Sequence, residues 1–501
     1  MAESRSKRVV IAGGGTAGWI AAAALVRQLG PLLDITLVES DAIGTVGVGE
    51  ATIPTHRTFH HLLGIDERAF MRETQASFKL GIAFENWARE GDRYFHSFGQ
   101  LGKSTWMADF HHLWLEARAA GLAGELGAYC LELQAAEAEK FATGPNARIN
   151  YAYHLDASRY AGFLRKIAED QGVKRVEGRI ADVETEGVRT DGARGDITAL
   201  RLDDGTRIAG DFFIDCTGFR ALLIGDALGT GFEDWSHWLP MDRAIALQTG
   251  STGPARPYTR SIAHGAGWQW QIPLQHRVGN GLVYCSAHLD DGAAQDLLLE
   301  NVSGAPLTEP RVIRFRTGRR EQVWTRNCLA LGLSSGFLEP LESTSIHLIQ
   351  AGVMRLIQMF PFGDQCDALR DRYNALSRDE LERIRDFIIL HYKATQRDET
   401  AFWRQCRDMS IPDSLAARIE LFRQSGMAYQ DGADLFRVDS WLQVLLGQRI
   451  EPQSHHAMGR LMTYDQMRQA LDAVKSNIAA SVSKLPQHQD FLDQYCAAET
   501  A

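Results

Sequence analysis

Arg8-Val-Val-Ile-Ala-Gly13-Gly-Gly15-Thr16-Ala17-Gly18 decides how the chain begins to fold. A β-branched run, Val9–Ile11, feeds straight into Gly13-x-Gly15-x-x-Gly18. An alanine-rich helical stretch, Trp19–Leu29, follows, and a second apolar strand, Asp34–Val38, ends in Glu39. That order suits a dinucleotide. Glycines let the backbone approach the pyrophosphate, a helix N-terminus stabilises its charge, and an acid takes the ribose hydroxyls. Glu39 stands 21 residues beyond Gly18. An acid there, rather than an arginine, favours FAD or NAD over NADP.

The 501 residues allow a large core and two or three lobes, and 45% hydrophobic with 23% charged residues is ordinary globular composition. A net charge of -10 argues against a nucleic-acid partner. No apolar stretch is long enough to span a bilayer, and Met1–Lys7 is short and polar, without a signal-peptide core. The seven cysteines are scattered with no Cys-x-x-Cys pair, which reads as reduced thiols in a cytoplasmic protein. Histidine pairs occur at His60-His61, His111-His112 and His455-His456. Adjacent residues rarely share a ligand-bearing face, so no metal is expected.

Beyond Glu39 the glycines at 44, 47 and 49 break regular structure, and the loop reads as a cofactor contact through Gly47 and Glu50. Thr55–Leu80 reads as helices. Lys79, between Phe78 and Leu80, would by itself be a snorkelling surface residue. His96 and Phe98 read by default as core, and Trp106–Ala138 as mostly helical. Asp156 is a helix cap for Ala157–Asp170. Strands follow over Val173–Glu184, in a hairpin Ile197–Ile208 around Asp203-Asp-Gly205, and over Asp211–Ile214. As in two-dinucleotide-binding flavoproteins, Asp215-Cys-Thr-Gly218 would abut the cofactor and Val183 would pass its adenine. Trp268 and Trp270, at period two, share one side of a strand that Pro273 limits. A strand over Cys328–Leu333 and a helix over Ile346–Met359 come next. From Pro361 onward the pattern is helical, with a capping box Ser377-x-x-Glu380 opening Glu380–Tyr392. Further helices are expected from Asp413 or Ser414 to Phe422, over Ser440–Gly447 and over Tyr464–Leu485. The expected fold is α/β: a discontinuous, flavin monooxygenase-like FAD-binding lobe of Rossmann-type βαβ build over 1–360, with substrate-lobe segments at about 80–150, and a mostly helical substrate lobe over 361–501.

Gly13-x-Gly15-x-x-Gly18, Lys79 in Phe-Lys-Leu-Gly, Trp268-x-Trp270-x-Ile272-Pro273 and Phe337-x-x-Pro340-x-x-Ser343 occur in this order. With these motifs the chain resembles the flavin-dependent tryptophan halogenase family along nearly its whole length. The resemblance implies that FADH2 and O2 oxidise a halide, chloride or bromide, to hypohalous acid, which travels through a tunnel to the substrate. It implies Lys79 as the residue that holds the oxidant and Glu342 as its partner at the substrate carbon. Flavin contacts at Leu333 and Ile346, a halide site at the amides of Thr344 and Ser345, and aromatic stacking by His96 and Phe98 carry over in the same way. Two departures stand out. Position 345 is serine where tryptophan-specific members usually carry glycine, so halide preference is expected to differ. Their Tyr-Tyr pair and acid correspond to Ser440-Trp441-Leu442, so an indole-like substrate without the amino-acid zwitterion is expected against Trp441.

The chemistry fits those residue types. Hypohalous acid is weakly selective, so one fixed donor beside one ring carbon must supply regiochemistry. A haloamine on Lys79 needs the neutral amine and a desolvated site, whereas a hydrogen bond works with the cation. Glu342 suits stabilisation of the ring cation or acceptance of its proton; its bland role would be to cap the next helix. Gly332-x-Ser334-x-Gly336 matches a hydrolase nucleophile elbow, with His455 or His456 as a later base, but a hydrolase leaves the dinucleotide turn unexplained. An FAD-dependent aromatic monooxygenase is the stronger alternative. No second Gly-x-Gly-x-x-Gly is present for a nicotinamide cofactor, so a separate flavin reductase is the expected partner. Homodimerisation is a further option.

Overall fold

The computed structural model describes residues 6–43, 49–144, 148–187, 195–363, 365–432 and 434–498. Gly47 therefore lies outside the described residues. The chain divides into two units, 1–74 with 155–242 and 314–381, and 75–154 with 243–313 and 382–501.

The first unit is built on a six-stranded sheet in the order Trp324–Thr325, Cys328–Ala330, Phe212–Asp215, Lys7–Ala12, Leu33–Glu39, Lys174–Glu177. The Trp324–Thr325 edge is antiparallel and the other pairings are parallel. Parallel strands are covered on both faces, which explains why Val9–Ala12 is uninterrupted apolar sequence and wholly buried. The helices Thr16–Leu29 and Ala157–Asp170 pack together, and Asp156 caps the second by accepting from the amides of Ser158 (2.9 Å) and Arg159 (3.0 Å). A smaller antiparallel sheet, Ile180–Thr185, Ile197–Leu202 and Arg207–Ala209, contains the expected hairpin.

The second unit carries a seven-stranded sheet in the order Arg311–Arg314, Arg243–Gly250, Arg277–Tyr284, Gly267–Pro273, Thr259–His264, Gly81–Glu85, Arg93–Ser97. Its helices include Phe110–Ala119, Asp413–Ser425, Val438–Gly447 and Tyr464–Ser483. No helix among the described residues is long and apolar enough to cross a membrane.

Two local expectations are corrected. Ser77–Lys79 is a strand, paired with Ala152–Asp156, and not the end of a helix. Residues 106–138 are mostly helical, as expected, in Phe110–Ala119, the short 3-10 turn Leu126–Tyr129 and Leu131–Glu137, and Gly121 at φ +70° ends the first of them. Helix Asp367–Lys393 runs unbroken through the expected start at Glu380. Tyr373, Leu381, Ile384, Phe387 and Ile388 are buried along it, and that continuous stripe overrides the cap signal at Ser377. The sequence sets a lobe boundary at 360/361; the contacts divide the chain at 381/382, inside this helix.

Candidate active site

In the first unit, each glycine of the opening turn has its own task. Gly13 has φ +103°, and a Cβ there would stand 2.3 Å from the Cys216 carbonyl oxygen. The residue after strand Phe212–Asp215 thus closes on the turn. A Cβ on Gly18 would meet the Gly13 carbonyl oxygen at 1.9 Å, and one on Gly14 would meet the Glu39 carboxylate at 1.5 Å. Gly15 alone is open, with no atom within 4 Å of that position. It is also the cap of helix Thr16–Leu29, which no side chain satisfies. An open cradle above an uncapped helix N-terminus is what a pyrophosphate requires, so these residues fit FAD. Asp215 fixes the neighbouring strand end by accepting from the amides of Thr217, Leu223 and Ile224, each at 2.9 Å, and from the Thr217 hydroxyl at 2.7 Å. Glu39 is held by Arg175 at 2.5 Å and accepts from the Trp19 indole at 3.3 Å. Val183 packs against the cluster containing Val10, Ala12 and Val38. Glu50 keeps part of its surface open, yet burial pushes its carboxyl up to about 7.

The same unit holds Leu333, Glu342, Thr344, Ser345 and Ile346. Gly332, at φ +68°, brings this segment against Ala17 of the first helix. Glu342 is 1% exposed and ends a short turn, Pro340–Glu342. The left-handed residue that follows is Ser343, at φ +59°, and not Ser345. Serine at 345 therefore carries no backbone strain, and a non-glycine residue at Ser343's φ is the sort of strain that collects at functional sites. Thr344 caps helix Ser345–Gln358 without a side-chain hydrogen bond, and its buried hydroxyl has no partner among the described residues. Farther along, the Gln350 amide donates to Nδ1 of buried His56 at 2.8 Å.

In the second unit Lys79 is completely buried, and its Nζ lies 5.3 Å from the Phe98 ring centroid. Its strand is pinned from several sides. The Phe78 amide donates to His488 Nε2 (3.2 Å), and Leu80 donates to the Pro257 carbonyl (2.7 Å). The Ser77 hydroxyl donates to the carbonyl of Pro273 at 2.5 Å and lies 3.0 Å from His154 Nδ1. His154 Nε2 is 2.9 Å from the Thr259 hydroxyl. Burial, with the charge of Lys79 adding to it, holds the His154 pKa well below its usual value, so this ring is neutral. Pro273 ends the strand that carries Trp268, Trp270 and Ile272, all buried, and Trp270 lies flat enough on Gly281 that a Cβ there would overlap it at 2.0 Å. The tryptophan motif thus buttresses the strand of Lys79 through Ser77.

His96 and Phe98 sit at the end of strand Arg93–Ser97, buried as expected. Helix Val438–Gly447, which carries Trp441, is tied to them through Gln443, whose Oε1 accepts from the Ser97 amide and hydroxyl at 2.9 Å each. His96 is 5.5 Å from Phe387 and 6.0 Å from Phe436, those two rings stack at 3.8 Å, and Trp441 meets Phe387 edge-on at 4.8 Å. Phe387 and Phe436 were not legible as site residues. They lie in ordinary helical and loop sequence far from His96, and only the fold joins them.

The tryptophan halogenase family model matches residues 8–464. The chain belongs to the tryptophan halogenase family. Xcc4156, a flavin-dependent halogenase from Xanthomonas campestris, has a structure similar to this chain at a TM-score of 0.96, with 55% identity and 99% of both chains covered. BrvH, a flavin-dependent halogenase from Brevundimonas sp. BAL3, matches at 0.92 with 45% identity over 99% of this chain and 100% of that one. Tryptophan 6-halogenase SttH of Streptomyces toxytricini is 37% identical over 477 residues, 88% of this chain and 89% of SttH.

As a tryptophan halogenase family member the chain is a flavin-dependent enzyme, and the hydroxylase alternative is not favoured. The hydrolase pattern also dissolves in the structure. The hydroxyl of Ser334 donates to the backbone carbonyls of Asp215 and Leu331, which makes it a structural brace and not a nucleophile. Among the described residues no group of histidine, cysteine or acidic side chains is arranged to hold a metal.

Proposed function

We propose that this halogenase places chlorine or bromine on a neutral, indole-like aromatic, with Lys79 presenting the halogen and Glu342 accepting the ring proton. When bound, reduced FAD with O2 supplies the oxidising equivalents that turn the halide into hypohalous acid. The observation that carries the reading is Lys79 itself. A lysine with no solvent exposure, beside an aromatic face and backed by a neutral histidine, is desolvated and fixed in place. A fixed donor is what turns an indiscriminate oxidant into a regioselective one. Glu342, equally buried, suits the role of base once the ring carries positive charge. The uncapped helix start at Thr344 and Ser345, with backbone N–H groups and dipole, supports halide binding there. The aromatic surfaces of His96, Phe98 and Trp441 support a flat substrate. A separate flavin reductase delivers FADH2, and Gly13–Gly18 with Glu39, Glu50, Val183, Leu333 and Ile346 would hold it.

The test supplies FADH2 through a reductase, with O2, bromide or chloride, and indole, and reads halogen isotope patterns by mass spectrometry. Halogenated indole is expected from the wild type and none from Lys79→Ala, while that variant binds FAD normally. Hydroxylated product in place of halogenated product overturns the proposal.

A further inference from the structure

Trp441 is 4% exposed, and one face of its indole is covered by the guanidinium of Arg418, 4.2 Å from the ring. The same guanidinium also lies over the ring of Tyr429 at 4.0 Å, so one cation contacts two aromatic rings. Its edges are fixed as well. Nη2 pairs with Asp434 at 2.8 Å and Nη1 donates to the Tyr429 carbonyl at 3.0 Å. Asp434 is itself clamped, pairing also with Arg383 at 2.5 Å and accepting from the Asp431 amide at 3.0 Å. Arg418 is a buried cation whose plane is set by its partners, and it sets in turn the plane of Trp441.

A planar, forked cation does this better than any apolar side chain. Desolvation strengthens a cation–π contact, and the fork of Arg prevents the rotation a lysine ammonium permits. Around Trp441 the rings of Phe387 and Phe436 supply stacking and edge contacts, and such ring contacts by themselves tolerate sliding.

We propose that Arg418 is a positioning residue for halogenation: without touching the substrate, it locks the indole plane of Trp441 and so selects which ring carbon is presented. The proposal rests on the reading of Trp441 as a substrate wall. The cation beside Trp441 is spent on Asp434 and offers no grip to a substrate carboxylate, in keeping with a neutral substrate.

The experiment uses the full-length enzyme loaded with FAD and supplied with reductase, bromide and 3-methylindole, in which several ring carbons compete. The isomers of the monobrominated product are quantified, together with FADH2 consumption. In Arg418→Met the ratio of major to minor isomer is expected to fall about tenfold, the equivalent of about 1.4 kcal/mol between competing transition states. FADH2 consumption should stay within about twofold, since the oxidant is made elsewhere. Arg418→Lys, which keeps the charge but not the fork, should lower the ratio to an intermediate value. If Arg418→Met fails to fold, Arg418→Lys decides the matter. A wild type that brominates, with an unchanged isomer ratio in the folded variants, overturns the role of Arg418 alone. A wild type that forms no brominated product overturns the proposed function and this inference with it.

Discussion

Gly13 and Gly15 are identical residues two positions apart, and a methyl group would mean different things at each. At Gly13 it would be forced into a left-handed backbone and onto the Cys216 carbonyl, so Gly13→Ala is expected to destabilise the apoprotein by about 1–3 kcal/mol. At Gly15 it would enter open space. Gly15→Ala is therefore expected to leave the melting temperature of the apoprotein unchanged and to raise the Kd for FAD at least tenfold, about 1.4 kcal/mol. Calorimetry on the apoproteins and a flavin-fluorescence titration separate the two. Equal melting temperatures would refute the distinction. Lys79 makes the complementary point: a residue ordinary in sequence is held at zero exposure, where lysine is rarely found.

Elements follow their burial pattern more faithfully than their local signals. Asp156 is a cap in sequence and in structure because its helix begins where a strand ends. Ser377 has the same kind of signal, yet lies within helix Asp367–Lys393. A true cap lost to alanine costs about 1 kcal/mol, whereas alanine inside a helix is at least as good as serine. Ser377→Ala is accordingly expected to unfold at the same temperature or slightly higher, by circular dichroism, and a loss near 1 kcal/mol would restore the capping assignment. The tryptophan motif is an element-scale device too. Its period-two spacing was readable, but its purpose was not: Pro273 braces Ser77, and Trp270 requires the bare backbone of Gly281.

Buried titratable groups set how the whole molecule responds to pH. Burial holds His56 to about 3 and His488 to about 4, and holds His60 and His154 well below 6.5. The unfolded chain therefore binds more protons below about pH 6.5, and stability is lost as the pH falls from there. Between pH 6.5 and 5 each such histidine contributes a loss of about 2 kcal/mol. Glu50 acts in the opposite sense. Its folded pKa, raised to about 7 by burial, makes the folded chain the better proton binder between 4.5 and 7, so its contribution is lost as the pH rises. Burial lowers His111, His112 and His264 in the same way and raises Glu132, Asp215 and Asp439 as it does Glu50, so the lowered histidines outnumber the raised carboxyls and the melting temperature should fall from pH 7.5 to 5. A stability maximum below pH 6 would contradict this balance.

The nucleotide turn, the parallel core strands, the family motifs and most helix identities were determined by the sequence itself. Each depends on local spacing, on continuous apolar runs or on glycine at fixed offsets, and all of these are one-dimensional. Tertiary structure alone decided that Lys79 is buried on a strand, that His154 behind it is neutral, and that Ser343 and not Ser345 carries the left-handed turn. It also decided that Arg418, Phe387 and Phe436 gather around Trp441. Those properties depend on desolvation and on contacts between residues far apart in the chain, and neither leaves a periodic trace in sequence.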